Sequence, residues 1–157
     1  MKSENIYQPQ SNTAIGAILN TASGFTAANP GTAPTNTVLV CSAQGTDESC
    51  INSLVVSSDD SAARTIQWWR SSDGGTTKRL IGISVIAALA GSATLVNIDV
   101  LRCATITGLE LDDNLQPIIR LGYTGGVAEQ LYACVITAAV TASKTLYITG
   151  NMANYSA

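Results

Sequence analysis

The chain has 157 residues, enough for one domain with a real hydrophobic core. Hydrophobic residues make up 46% of it and charged residues only 12%, whereas about 25% charged residues is usual for a globular domain. Its net charge of -3 disfavours binding to nucleic acid or an anionic membrane, and the lack of histidine removes the usual general base and imidazole metal ligands.

Residues 1–35 are predicted to form an extended arm, because they are low in charge, rich in Asn, Thr, Ser and Ala, and interrupted by three prolines. The one apolar segment, residues 14–19, is expected to be a short strand or a helical turn. The arm is either a floppy terminus or a clasp across a neighbouring subunit. In the second case Ile15, Ile18 and Leu19 are candidate interface residues. The polar amino terminus lacks the apolar region of a secretory signal, so we expect no export by the general pathway.

Two segments with strand composition follow, NTVLVCS (36–42) and CINSLVVS (50–57), and a polar loop separates them. They are predicted to form a hairpin or a corner between two sheets. Cys41 and Cys50 lie at facing ends of these strands and are a candidate disulfide across the loop. The alternative is that all four cysteines are buried free thiols. A zinc site is weakly supported because no C-x-x-C pair is present.

The stretch RTIQWWRSSDGGTTKRLIGISVI (64–86) is predicted to be an antiparallel hairpin, because the Asp-Gly-Gly sequence accepts the backbone angles of a tight turn. In its second arm Ile81, Ile83 and Val85 alternate with Gly82 and Ser84. We expect the apolar side of this arm to lie on the core.

Trp68 and Trp69 are adjacent, so in a strand their rings leave on opposite faces. One ring can fill the core. Trp69 is therefore a candidate interface anchor, since tryptophan is enriched among binding hot spots. The alternative is that both rings are covered within the same subunit.

The remaining strand candidates lie at residues 94–102, 116–122, 129–140 and 145–149, followed by a polar tail. The second of these, residues 116–122 (QPIIRLG), is expected to be an edge strand, because Pro117 has no backbone N–H to donate to a neighbouring strand. The uncharged stretch 80–98 fits two strands joined by a loop better than one membrane-spanning helix. The acidic groups at 59–60 and 110–113 are expected to be solvated turn residues rather than a glycosidase or calcium site.

About eight strands separated by turn signals predict an all-β fold, an antiparallel two-sheet β-sandwich that is jelly-roll-like. The predicted organisation is an extended arm over residues 1–35 and a sandwich domain over 36–157. No catalytic residue, cofactor site or metal site is predicted, and a structural or binding role is favoured over an enzyme.

The sequence TIQWWRSSDGGTTKRLIGISVIAA, preceded by NTVLVCSAQGTDESCINSLVV and followed by AEQLYACVITAAVTASKTLYITGNMANY, resembles head decoration (capsid cement) proteins of tailed bacteriophages. The resemblance covers roughly residues 36–155. It implies a homo-oligomer, with a trimer favoured, that is made in the host cytoplasm and binds the major capsid protein on the outer surface of the virion. It implies no catalytic residues.

Two other functions stay open from the sequence. One is another virion part, such as a tail, neck or fibre-base component. The other is a carbohydrate-binding sandwich, which requires an exposed aromatic platform that includes Trp69.

Overall fold

The computed structural model describes residues 11–19, 36–44, 48–91, 94–102, 105–136 and 138–155. Within them the chain is nearly all β, as predicted, and the longer strands are separated by the turns expected from the sequence. A single 3-10 turn spans Val100–Arg102. The strands are β1 (Ser11–Leu19), β2 (Val38–Ser42), β3 (Glu48–Ser58), β4 (Arg64–Ser71), β5 (Arg79–Ile86), β6 (Val96–Asp99), β7 (Glu110–Leu111), β8 (Pro117–Thr124), β9 (Val127–Ala128), β10 (Gln130–Ile136) and β11 (Leu146–Tyr155).

These strands form two antiparallel sheets. One has seven strands in the order β1-β11-β3-β8-β7, with β6 added beside β3 and β9 beside β8. The other has four strands in the order β2-β10-β4-β5. The first strand thus pairs with the last, and the second with the last but one. When β6, β7 and β9 are set aside as additions, this nested pairing of eight strands is the connectivity of a jelly roll.

The hydrophobic core lies between the two sheets. Its members come from the inward face of every long strand, and the residues most completely removed from solvent include Ile51, Leu54, Ile66, Trp68, Leu121, Leu131 and Ile148. Alternation along β3 gives the pattern: Leu54 and Val56 are buried while Ser53 and Val55 point outward. Aliphatic side chains from both sheets therefore interlock around the single indole ring of Trp68.

The hairpin predicted at residues 64–86 is present as β4 and β5, but the face of β5 that meets the core is the opposite of the predicted one. Gly82, Ser84 and Ile86 are buried, while Val85 is 61% exposed. On this inward face the Ser84 hydroxyl accepts a hydrogen bond of 3.0 Å from the indole N–H of Trp68. Gly82 pairs with Trp68 and admits the backbone of residues 105–106, since a Cβ there would lie 2.7 Å from the Ile106 Cα.

Two terminal segments belong to the sandwich rather than to an arm or a tail. Strand β1 lies within the predicted arm and pairs with β11 along its whole length. Strand β11 continues past the predicted end at residue 149 to Tyr155, because β1 and β3 flank it on both sides. The polar side chain of Asn154 is buried there. It donates to Ser11 and Thr13 and accepts from Ser49, at distances between 2.8 and 3.1 Å.

The two strands predicted at 36–42 and 50–57 follow the corner alternative rather than the hairpin, since β2 and β3 belong to different sheets. The edge-strand prediction for β8 is wrong, because β8 lies between β3 and β7. Pro117 is tolerated as its first residue, since pairing of β8 with β3 involves only the later residues 119–122. No helix in the described ranges is long and apolar enough to cross a membrane.

Candidate functional site

The structure separates the candidate interface residues of the predicted arm. Ile15 and Leu19 point inward from β1 and are buried in the core of their own chain. Ile18 points outward and is 53% exposed. Of the three, only Ile18 is placed to contact another molecule. Residues 1–10 and 20–35, the rest of the predicted arm, lie outside the described residues.

Trp69 is not at the surface. Its ring points away from the core, as adjacency to Trp68 predicted, yet it is completely buried within the single chain. Its cross-strand neighbour is Tyr132, whose ring centroid lies 4.7 Å from the Lys78 ammonium of the hairpin loop. The second alternative for the tryptophan pair, in which one subunit covers both rings, therefore holds, and Trp69 is not an interface anchor.

Cys41 and Cys50 are free thiols, as is Cys134. The candidate disulfide across the loop is not formed; Cys41 lies on β2 of one sheet and Cys50 on β3 of the other. Burial raises the pKa of the Cys41 thiol to about 12 and that of Cys134 to about 11. These groups are inert side chains rather than nucleophiles. Cys103 lies outside the described residues.

A buried ionic cluster forms at the predicted turn 59–60. The Asp60 carboxylate accepts a hydrogen bond of 2.7 Å from the guanidinium of Arg64, and both the amide and the hydroxyl of Thr141 donate to it at 2.9 and 2.6 Å. The amide of Ala62 donates to it as well. Burial alone raises the pKa of Asp60, but these hydrogen bonds outweigh burial and hold the pKa well below its usual range.

Asp60 is thus not the solvated turn residue predicted from the sequence. The hydrogen bonds from Ala62, Arg64 and Thr141 make the cluster a structural tie between the β3–β4 turn and the segment before β11. Within the described residues, no group of three or more Cys, Asp or Glu side chains is placed to hold a metal ion.

One described surface has a distinctive composition. It is the part of the solvent-facing side of the seven-stranded sheet that β1, β11, β3 and β6 build, and we call it the outer face. Three rows of cross-strand partners build it. Their members are small or uncharged except Asp99: Ile18, Tyr147, Ser57 and Asn97 in the first row, Gly16, Thr149, Val55 and Asp99 in the second, and Ala14, Asn151 and Ser53 in the third. These three rows carry one charged side chain, Asp99, which pairs with Arg102 at 3.5 Å.

An apolar pair marks one end of the outer face. Ile18 and Tyr147 are direct cross-strand partners on β1 and β11, and they are 53% and 43% exposed. Side chains that are directly opposite each other on an antiparallel pair touch, so the two form one continuous apolar surface. Charged side chains gather on the β8 side of the same sheet surface, where Arg120 joins Glu48 and Glu110 across β3, β8 and β7.

Comparison of the chain with protein-family models, with curated proteins and with solved structures found no match.

Sequence reasoning missed the outer face because its residues lie on four strands that are far apart in the chain. The signal that was available is alternation. Ser53, Val55 and Ser57 are the outward residues of a strand whose inward residues, Leu54 and Val56, are plainly core. Assigning the two faces strand by strand gives the list of outward residues, but the order of the strands, which brings them together, comes only from the fold.

Proposed function

We propose that this protein is a non-enzymatic structural component of a virion, which binds the outer surface of a tailed-phage capsid and stabilises the shell. The observation that carries the proposal is the outer face of the seven-stranded sheet. Jelly rolls are recurrent in viral coat proteins and lectins. The resemblance of the sequence to decoration proteins is the reason to favour the capsid surface among these roles.

The chemistry of the outer face suits a protein partner. Ser, Thr, Asn, Ala and Gly side chains are short, so ordering them at a contact costs little side-chain entropy. With Asp99 the one charged member of its three rows, the face buries few ions that would need partners. Ile18 and Tyr147 supply the apolar contact at its end.

The mechanism follows from mass action. A protein that binds the assembled shell but not the free capsid subunits stabilises the shell. The stabilising free energy grows with the logarithm of the ratio between the free concentration of the protein and its dissociation constant. No chemical step is required. The protein contributes by covering surface that the assembled lattice alone presents.

Binding can be tested with Thr149→Arg, which places a long charged side chain in the middle of the outer face. Thr149 is exposed, so the fold should tolerate the change. We expect the variant to co-sediment with phage heads that lack this protein at least about tenfold more weakly than the natural chain, because an unpaired charge would be buried in the contact.

The matched control is Val85→Arg, which adds the same side chain at an exposed strand position of the other sheet. It should bind heads as the natural chain does. Equal binding by all three proteins would exclude the outer face as the contact. No binding by the natural chain would contradict the decoration role itself. Circular dichroism of each variant checks that the sandwich has folded.

The carbohydrate-binding alternative has lost its main support. It required Trp69 in an exposed aromatic platform, and that ring is completely buried. A different virion location, in the tail, neck or fibre base, would use the same outer face and is distinguished by where the protein lies on the particle.

A further inference from the structure

Strand β1 is an edge of the seven-stranded sheet. Among the described residues it pairs with β11 alone. In an antiparallel ladder every second residue directs its N–H and C=O groups away from its partner strand. About half of the nine residues of β1 therefore present backbone donors and acceptors along the open side of the sheet. Such a row of unpaired groups is a template for another strand.

As far as the described residues extend, the open side of β1 lacks the devices that usually protect an edge. The strand has no charged residue and no proline, and its register with β11 is regular along its full length. Five of its nine residues are exposed.

The other described edges are each short, charged or covered. β6, β7 and β9 have four, two and two residues, and the first two carry Asp99 and Glu110. β2 has five residues and is bulged against β10. The free side of β5 is covered by residues 105–107, where the Thr107 amide donates to the Ile81 carbonyl at 2.7 Å and Ile106 bridges to Gly82. β1 is therefore exceptional among the described edges of this molecule.

We infer that β1 is a self-association edge, at which β1 of a second copy of this chain adds antiparallel about a two-fold axis at Gly16. The two seven-stranded sheets then become one continuous sheet. A two-fold contact uses the same surface on both copies. The inference does not depend on the proposed function.

The side chains of β1 are self-complementary in this register. With Gly16 opposite Gly16, the exposed Ile18 lies opposite Ala14 of the second copy, and the inward Ile15 lies opposite Ala17. Each large side chain thus meets a small one across the junction. No like charges face each other, because β1 carries none. Ile18 lies at the junction, and its cross-strand partner Tyr147 lies one strand further into the sheet.

Analytical ultracentrifugation of the full chain over a concentration series tests the inference. We expect a monomer–dimer equilibrium for the natural chain. Gly16→Lys should raise the dimer dissociation constant by roughly tenfold, because it places two ammonium groups opposite each other at the axis. The monomer accommodates the change, since a Cβ at Gly16 meets nothing within 4 Å. Val85→Lys, exposed on the other sheet, is the matched control and should dimerise normally.

Cross-linking tests the register. Gly16→Cys should form a covalent dimer under mild oxidation, because residues directly opposite on antiparallel strands have Cα atoms within disulfide reach. The natural chain and Val85→Cys should not. A natural chain that stays monomeric at about 100 µM, a concentration at which even micromolar affinity would show, a trimer, or a dimer unaffected by Gly16→Lys would each overturn the inference.

Discussion

Asp60 and Arg64 show at the scale of single residues how the sandwich is tied together. Their side chains are almost fully buried, and the Asp60 carboxylate also binds Thr141, which is far away in the sequence. A buried ion pair adds little net stability compared with apolar side chains of the same size, but removing one partner leaves an uncompensated charge. The pair therefore matters most when it is broken.

We expect Asp60→Asn to destabilise the protein by about 3 to 5 kcal/mol, because it leaves the Arg64 guanidinium buried without a counter-ion. Urea unfolding followed by tryptophan fluorescence measures the change. Asp113→Asn is the control, since Asp113 is exposed and its loss should change stability by at most about 0.5 kcal/mol. Equal effects of the two substitutions would contradict the assignment of Asp60 as a structural tie.

The depressed pKa of Asp60 also sets a pH dependence. A carboxyl group whose pKa is lower in the folded than in the unfolded state stabilises the fold when it is ionised. Its ordinary pKa is 3.8, and the folded value lies well below this. The stabilisation is therefore complete above about pH 5 and is lost as the pH falls through 3.8 towards the folded pKa.

The free energy of unfolding should therefore fall between about pH 5 and pH 2 in the natural chain. The same series with Asp60→Asn should be flatter, because the titrating group is absent. A natural chain and a variant with parallel pH profiles would show that Asp60 does not contribute.

At the scale of elements, the free side of β5 depends on the close approach of residues 105–107. A Cβ added at Gly82 would lie 2.7 Å from both the Ile106 Cα and the Thr105 carbonyl oxygen. These are backbone atoms, so they cannot move aside as the end of a side chain can. The glycine is what allows this segment to cover the edge.

Gly82→Ala should therefore destabilise the fold by about 1 to 3 kcal/mol through crowding of the backbone. Gly16→Ala is the matched control, because a Cβ there meets nothing within 4 Å. Thermal unfolding at low protein concentration compares the two monomers. A Gly82→Ala variant as stable as the natural chain would show that residues 105–107 do not hold the edge of β5.

The alternation of apolar residues with polar or small ones predicts most of the long strands, but it does not always predict which side of a strand faces the core. For β3 the apolar residues are the inward ones. For β5 the small residues Gly82 and Ser84 are inward, because Ser84 bonds to the Trp68 indole and Gly82 admits the backbone of residues 105–106. Packing between neighbouring segments decides which face of β5 is buried, and the sequence of β5 alone does not contain this information. The sequence likewise predicts that Asn154 belongs to a polar tail. Its side chain is buried because its hydrogen-bond partners lie on β1 and β3, which are distant in the chain.

At the scale of the whole molecule, the two-sheet sandwich could be predicted because turn signals and strand composition are local. The pairing of the first strand with the last could not, since it depends on contacts between residues more than a hundred positions apart. This pairing turns part of the predicted arm into an edge strand, and it assembles the outer face from four strands. Both candidate contact surfaces of the molecule are products of this topology.

Cryo-electron microscopy of tailed-phage particles that carry the protein is the most direct test of the proposed capsid role. We expect density for the jelly roll on the outside of the capsid, with the outer face of the seven-stranded sheet against the shell. Density for the protein in the tail or neck, or inside the head, or a capsid-bound molecule whose outer face points to solvent, would contradict the account.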